Sequence, residues 1–261
     1  MSDVPPSVAP NLPPDEPPLL ELRGIKAAYG RIEVVHGIDL VVPQGKVVAI
    51  LGPNGAGKST TLKVACGLLP PTAGDLFVAG RRVNGAKPED LARAGLCLIP
   101  EGKGIFPNLT VRENLRMATF TGQSIRHVEE VAYARFPRLG ERRSQLAGTL
   151  SGGEQQMLAM SRGLATDPAL LLLDELSMGL APIIIEELYE IVANVASAGV
   201  SILVVEQFAQ TVLGVADEAV IMVHGEITSV GSPAELAEQL STAYLGSVDP
   251  IPSTSNGQSV R

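Results

Sequence analysis

A glycine-rich segment directly after a short apolar block constrains this chain more than any other feature. The segment matches G-x-x-x-x-G-K-[ST] and consists of Gly52, Pro53, Asn54, Gly55, Ala56, Gly57, Lys58, Ser59 and Thr60. Residues 47–51 before it are all apolar, and a helical pattern runs from Lys58 to about Leu69. A strand, a tight turn and a helix start aim backbone N–H groups at one anion. The pattern predicts a phosphate loop in which Lys58 meets the β- and γ-phosphates and Ser59 offers its hydroxyl to Mg²⁺.

A second apolar block ends in two carboxylates. Residues 170–173 are four leucines, followed by Asp174 and Glu175. Ligands of parallel α/β sheets gather at the carboxyl ends of the strands. We therefore expect Asp174 to hold Mg²⁺ and Glu175 to orient or deprotonate an attacking water. The alternative is a plain exit from strand to loop, where acidic residues are common.

The segment Leu150-Ser151-Gly152-Gly153-Glu154 has two interpretations. Ser151 and Glu154 form the sequence pattern of a capping box, which predicts the start of a helix over 152–165. Glycine at the first two helical positions lowers helix stability but leaves backbone N–H groups open to an anion. The second interpretation is a further phosphate site made by Ser151, Gly152 and Gly153.

The remaining pattern predicts an α/β domain. Five short apolar blocks suit strands buried on both faces of a parallel sheet, and they are Val47–Leu51, Leu96–Ile99, Ala169–Leu173, Ile202–Val205 and Ala219–Val223. Helical patterns lie between them. Residues 19–45 alternate apolar and polar side chains, which predicts antiparallel strands at one edge. The polar segment from about 100 to 158 has no strand-like block before the predicted helix at 152, so we interpret it as an inserted helical subdomain.

Composition limits the remaining classes of protein. Apolar residues make up 45% of the 261 residues and charged residues 18%, which allows a folded core. No apolar run approaches the roughly 20 residues of a membrane span. A net charge of −8 argues against a protein held mainly by nucleic acid. Seven prolines in residues 1–18 predict a disordered tail without secretory-signal features, and residues 246–261 predict a second one. The domain itself is expected over 19–245.

Three segments together resemble the ATP-binding subunits of ABC transporters. These are the phosphate loop, the Leu-Ser-Gly-Gly-Glu at 150–154 and the Leu-Leu-Leu-Leu-Asp-Glu at 170–175. The resemblance covers roughly 19–246. Four further segments are similar to branched-chain amino acid importer ATPases of the F-type subunit, and they are residues 100–111, 179–182, 205–207 and 243–246.

This resemblance implies an ATP sandwich, in which each nucleotide lies between the phosphate loop of one subunit and the Ser-Gly-Gly turn of another. It implies that Tyr29 stacks on adenine, that Glu101 reaches Mg²⁺, and that Gln207 contacts the γ-phosphate. The implied ligands are ATP and Mg²⁺. The implied partners are a second ATPase subunit, two membrane permease subunits that dock near 103–127, and an extracytoplasmic solute-binding protein. The implied location is peripheral, on the cytoplasmic face of the membrane.

Some residues depart from the common family pattern. Many family members have Gln where Glu101 stands and His where Gln207 stands, and both changes are typical of the F-type subgroup. Leu176 replaces a common proline, and Ala181 replaces a common aspartate.

Other functions stay open at this point. An ABC ATPase for another solute, such as urea, another amide, a lipid or a drug, is the main alternative, because nothing in an ATPase chain touches the solute. A ribosome- or nucleic-acid-acting ABC ATPase is disfavoured by the single cassette and the acidic charge. A P-loop GTPase or small-molecule kinase is a third alternative, and a GTPase is disfavoured because the chain contains no Asn-Lys-x-Asp tetrad.

Overall fold

The computed structural model describes residues 17–102, 104–207 and 212–237. In this part of the chain the strands are β1 (Leu20–Tyr29), β2 (Ile32–Val42), β3 (Val47–Leu51), β4 (Ala73–Val78), β5 (Arg81–Arg82), β6 (Leu96–Ile99), β7 (Leu170–Asp174), β8 (Ser201–Glu206), β9 (Glu218–Val223) and β10 (Glu226–Gly231). The α-helices are α1 (Lys58–Ala65), α2 (Pro88–Arg93), α3 (Val111–Arg116), α4 (Ile125–Arg135), α5 (Pro137–Glu141), α6 (Gly152–Leu164) and α7 (Pro182–Ser197). Short 3₁₀ turns cover Met117–Thr121 and Ala147–Thr149.

A six-stranded sheet forms the centre of the fold, in the order β10-β9-β3-β8-β7-β6. The strands from β9 to β6 pair in parallel, and β10 adds to β9 in the antiparallel direction. All residues of β3, β7 and β8 are buried, which explains why these strands read as unbroken apolar blocks. The carboxyl ends of β3 and β7 therefore reach the same edge of the sheet, where the phosphate loop and the acidic pair begin.

The antiparallel strands form a sheet of their own, in the order β2-β1-β4-β5. The register of β1 and β2 runs from Leu20 opposite Val42 to Tyr29 opposite Ile32. The antiparallel pairing predicted within 19–45 is confirmed. These strands lie beside the parallel sheet without continuing it.

Alternate residues of the parallel strands enter two separate cores. Val48, Ile50 and Leu172 pack with α1 and the antiparallel sheet. Val47, Ala49 and Leu51, together with Leu171 and Leu173, belong to the core that contains residues of α3, α4, α6 and α7. The parallel sheet thus lies between two cores, one on the side of the phosphate loop and one on the helical side.

The five predicted blocks are strands, and β3 and β6 have the predicted bounds. The predicted helical subdomain is observed too, because the described residues between 100 and 158 contain α3, α4, α5 and the start of α6 but no strand. Helix α1 ends at Ala65 rather than near Leu69, since Gly67 takes a left-handed conformation with φ +74°. The segment 243–246 and nearly all of both predicted tails lie outside the described residues. Among the helices described, none has the length and apolar character needed to span a bilayer.

Candidate functional site

The phosphate loop connects β3 to α1 and is shaped by two close backbone approaches. Gly57 is the N-cap of α1 at φ +103°, and no side chain caps the helix start. The first N–H groups of α1 are therefore open to an anion. A Cβ atom on Gly52 would lie 2.1 Å from the carbonyl oxygen of Met222, so only glycine fits there. The turn between β9 and β10 also holds the loop, since the Gly225 amide donates to the Ala56 carbonyl at 2.9 Å.

Lys58 points back into the loop and is 4% exposed. Its ammonium donates to the carbonyl oxygens of Gly52 and Pro53 at 3.0 and 3.1 Å. It also lies 3.4 Å from a carboxylate oxygen of Glu175. These three oxygens satisfy a buried cation and hold it where phosphate oxygens would enter.

Asp174 and Ser59 join the acidic strand end to the loop. The Ser59 hydroxyl donates to Asp174 Oδ1 at 2.8 Å. Burial raises the pKa of Asp174, the nearby charges of Glu175 and Glu101 raise it further, and the Ser59 hydrogen bond acts in the opposite direction. A carboxylate in such a position is stabilised by a cation.

The donor set of this corner fits Mg²⁺. No group of three or more His, Cys, Asp or Glu side chains is placed to bind a metal in the described part of the chain. The corner offers the Ser59 hydroxyl, the buried Asp174 carboxylate and the exposed Glu101 carboxylate instead. Mg²⁺ in nucleotide sites uses one or two carboxylates, water and phosphate oxygens. All of these protein ligands are oxygens, as a hard cation requires.

Directly after β7, Glu175 has a backbone conformation that residues other than glycine rarely adopt. Its φ is +49°, and its amide donates to the Val205 carbonyl of β8 at 2.9 Å. Such a backbone persists where its surroundings fix it. The turn directs consecutive side chains differently, so that Asp174 meets Ser59 while Glu175 meets Lys58.

One cleft of about 290 Å³ collects eight of the predicted site residues. Its lining consists of Val34, Asn54, Gly55, Gly57, Lys58, Ser59, Thr60, Glu101, Glu175 and Met178. Asp174 adjoins this cleft through Ser59. Sequence reasoning missed Val34 and Met178, because isolated apolar residues outside a motif carry no signal.

Tyr29 lies outside that lining, at the end of β1. Tyr29 is 45% exposed, and the Lys63 ammonium lies 5.7 Å from the centre of its ring and 3.4 Å from its hydroxyl oxygen. An accessible ring beside a cation on α1 can stack on a base. Gln207 does not line the cleft either; it is half-buried directly after β8.

The Ser-Gly-Gly turn forms the local cap that the first interpretation predicts. The Ser151 side chain accepts from the Glu154 amide, and the Glu154 carboxylate accepts from the Ser151 amide and hydroxyl. Arg142 pairs with the same carboxylate at 3.2 Å. Ser151, Gly152 and Gly153 do not line the cleft of their own chain. The second interpretation, a further phosphate site, stays a prediction.

A groove of about 240 Å³ lies beside the edge strand β6. We call it the β6 groove, and its lining residues include Leu96, Ile99, Met117, Phe120 and Arg162. Met117 and Phe120 are 45% and 67% exposed. Arg162 donates to the Gly104 carbonyl and stacks over Phe106 at 4.9 Å. The groove thus has an apolar rim beside a fixed cation, within the helical side of the fold.

Comparison with known proteins gives consistent matches over most of the chain. A family model described as "ABC transporter" matches residues 35–177. The "High-affinity branched-chain amino acid transport ATP-binding protein BraG" of Pseudomonas aeruginosa is 40% identical over 87% of this chain and 100% of its own length. The "Probable branched-chain amino acid transport ATP-binding protein LivF" of Archaeoglobus fulgidus is 34% identical over 83% of this chain and 94% of its own. A solved "ATP binding subunit of ABC transporter" superposes with a TM-score of 0.75 at 30% identity, covering 85% of this chain and 93% of that one.

Proposed function

The chain belongs to the ABC transporter ATP-binding family, and from this premise we propose that it binds and hydrolyses ATP to drive uptake of branched-chain amino acids through partner permeases. ATP binding and hydrolysis are proposed from two contacts in one corner of the site. Lys58 forms an ion pair with Glu175, and Ser59 forms a hydrogen bond with Asp174. The solute is proposed from the names of the two relatives, because no residue of an ATPase cleft has to contact it.

ATP fits the cleft with its phosphates in the loop. The open N–H groups at the start of α1 and the Lys58 ammonium would bind the β- and γ-phosphates. Lys58 would exchange its contacts with Glu175 and the loop carbonyls for phosphate oxygens. Tyr29 would stack on the base at the exposed end of β1. Val34 adds an apolar surface to the cleft lining.

Ser59, Asp174 and Glu101 would hold Mg²⁺, directly or through water. The ion supplies positive charge that offsets the developing charge on the phosphates. Its charge would also offset the negative charges of Asp174, Glu175 and Glu101, which lie at this corner.

Hydrolysis assigns roles to Glu175 and Gln207. Glu175 would accept a proton from the attacking water, whose oxygen bonds to the γ-phosphorus while the bond from that phosphorus to the bridging oxygen breaks. The products are ADP and inorganic phosphate. Gln207 would donate its amide N–H to a γ-phosphate oxygen.

A second ATPase subunit would complete each site. The Ser151-Gly152-Gly153 turn is not part of the cleft lining of its own chain, and it would bind the γ-phosphate of a nucleotide held by the partner. Closure would follow ATP binding because these contacts exist only in the closed state. Hydrolysis would then reopen the pair.

The β6 groove is the proposed docking place for a permease segment on the cytoplasmic side of the membrane. It overlaps the region around 103–127 and carries exposed Phe120 and Met117. An apolar surface of this kind, next to Arg162, fits a short amphipathic helix with an acidic residue. An extracytoplasmic solute-binding protein would deliver the amino acid to the permeases.

A pull-down from native membranes tests this function. The chain carrying Glu175→Gln is tagged at its N-terminus and purified in mild detergent with Mg·ATP. Two permeases, a second ATPase and a solute-binding protein that binds leucine, isoleucine or valine are the expected companions. A solute-binding protein for another compound would reject the solute, and ribosomal or nucleic-acid companions without a permease would reject transport. Lys58→Ala, which loses the nucleotide, serves as the matched control.

A further inference from the structure

A carboxylate to which the sequence analysis gives no role lies at the end of β8. Glu206 is 1% exposed, although it directly precedes the half-buried Gln207. A buried carboxylate is costly unless hydrogen bonds compensate it. Among the described residues no Lys, Arg or His forms an ion pair with Glu206, so neutral donors must do this.

Three donors from two other elements surround this carboxylate. The Ser177 amide donates to Oε1 at 2.9 Å, and the Ser177 hydroxyl donates to Oε2 at 2.7 Å. The Tyr189 hydroxyl of α7 donates to Oε1 at 2.7 Å. Burial, followed by the charge of Glu206, raises the pKa of Tyr189 well above its ordinary value, so the phenol stays protonated and remains a donor. Both carboxylate oxygens are therefore engaged.

These bonds fasten the turn that contains Glu175. Two residues after Glu175, Ser177 is held by Glu206, and Glu175 itself is held by the Val205 carbonyl. Val205 and Glu206, which are consecutive in β8, thus accept hydrogen bonds from two points of one turn. The first residue of that turn, Glu175, has a left-handed backbone conformation. The residue after Glu206 is Gln207, the proposed γ-phosphate contact.

We propose that Glu206 is a positioning residue that fixes Glu175 relative to Gln207, and that it ties the 176–181 loop to the hydrolytic corner. This inference rests on the proposed ATPase function for its kinetic consequence. The mechanism is geometric: one side chain sets the distance between the residue that receives the proton and the residue that holds the γ-phosphate. Its carboxylate is not part of the cleft lining.

The neutral isostere separates position from charge. In Glu206→Gln the amide oxygen can accept from the Ser177 amide and Tyr189, while the amide nitrogen donates to the Ser177 hydroxyl, which also accepts. All three links are thereby retained. Glu206→Leu removes them all and leaves the Ser177 and Tyr189 donors buried without acceptors.

The experiment combines kinetics of the membrane-purified complex with hydrogen exchange of the nucleotide-free chain. Glu206→Leu is expected to lower kcat about 10- to 100-fold with little change in the KM for ATP, because misplacement affects the reacting geometry. It is expected to speed exchange at the Ser177 amide at least about tenfold, while the Thr61 amide of α1 keeps its protection. Glu206→Gln stays within about threefold of wild type in both measurements.

Ser177→Ala keeps the main-chain link and loses the hydroxyl link, so it is expected to shift both measurements in the same direction as Glu206→Leu, but less. It decides the matter if Glu206→Leu does not fold. Unchanged kcat and unchanged exchange in Glu206→Leu, or in Ser177→Ala in its place, would overturn the proposal, and so would a Glu206→Gln variant as slow as Glu206→Leu. A wild-type complex without ATPase activity would reject the proposed function instead, and the exchange data would then decide the positioning role alone.

Discussion

The ammonium of Lys58 and the carboxylate of Glu175 lie 3.4 Å apart, and both side chains are almost fully enclosed. The proposed phosphate ligand therefore neutralises the proposed general base in this structure. Binding of the phosphates would separate the pair and leave Glu175 free to accept a proton.

Glu175→Gln is expected to slow ATP hydrolysis by about 10²- to 10⁴-fold, since a neutral amide cannot accept the proton. Mg·ATP binding should persist, because Lys58 loses a competing anion. With its partner chain present, the variant should elute as a stable dimer in Mg·ATP on gel filtration. A variant no more dimeric than wild type would contradict the sandwich. Glu186→Gln on the exposed side of α7 is the control and should hydrolyse ATP normally.

Asp174→Asn is expected to raise the melting temperature of the nucleotide-free chain at pH 7 to 8. The pKa of Asp174 is raised in the folded state, so the ionised form is disfavoured by folding. Wild-type stability is therefore gained as the pH falls through this raised pKa, and it is lost as the pH rises through it. The advantage of the variant should shrink on acidification toward the ordinary range of an aspartate.

Thermal unfolding at a series of pH values measures this effect. The exposed Asp90→Asn serves as the matched substitution and should show no such pH-dependent difference. An Asp174→Asn chain that is less stable than wild type at pH 7, or an advantage independent of pH, would argue against the raised pKa.

Gln207→Ala is expected to reduce the turnover of the assembled complex by about 10²-fold, the usual effect of removing one donor from a transition-state oxyanion. Gln207→His restores an N–H donor and should recover most of the turnover. Phosphate release at saturating ATP is the measurement. Equal turnover of Gln207→Ala and wild type would remove Gln207 from the mechanism.

Gly153→Ala is expected to destabilise the start of α6 by about 1–3 kcal/mol, despite the better helix propensity of alanine. The added Cβ would lie 2.7 Å from Cγ2 of Ile184 on α7. The loss of unfolding free energy should be smaller in an Ile184→Ala background, which removes that methyl group. The same loss in both backgrounds would show that Ile184 is not the cause.

Phe120→Asp is expected to lower permease co-purification at least about tenfold, because a charge in the centre of an apolar contact is poorly tolerated. ATP affinity of the isolated chain should not change, since Phe120 lies outside the nucleotide cleft. Ile32→Asp, at a site 70% exposed compared with 67% for Phe120, is the matched control. Equal losses in the two variants would mean that the β6 groove is not the docking place.

The parallel strands could be predicted because their burial leaves no polar interruption. β3 and β6 have the predicted bounds. β7 also includes Asp174 and β9 also includes Glu218, because an apolar pattern does not mark a strand end that is polar. β4, β5 and β10 were not predicted. β5 is only two residues long, and β10 alternates exposed and half-buried positions, so neither produces an apolar run.

The corner of the site could be predicted from motifs, but its contacts could not. The motifs at the ends of two parallel strands predict that Asp174 and Lys58 lie at one sheet edge. They do not reveal that Lys58 pairs with Glu175. Glu206 belongs to the 205–207 segment of the family resemblance, but its role could not be predicted because one acidic residue at the end of a strand gives no sign of its contacts. Its role depends on Ser177 and Tyr189, which are 29 and 17 residues away in sequence.

The phosphate loop is held on several sides: Gly52 abuts Met222, Gly57 abuts Met222 and Val34, and Gly225 bonds to Ala56. Its conformational entropy is therefore already lost during folding rather than at the moment of binding. A nucleotide that enters such a preorganised cradle retains more of its favourable contact free energy. That free energy would then be available for the proposed closure of two subunits, whereas a loop that is not held in place would lose part of it on ordering.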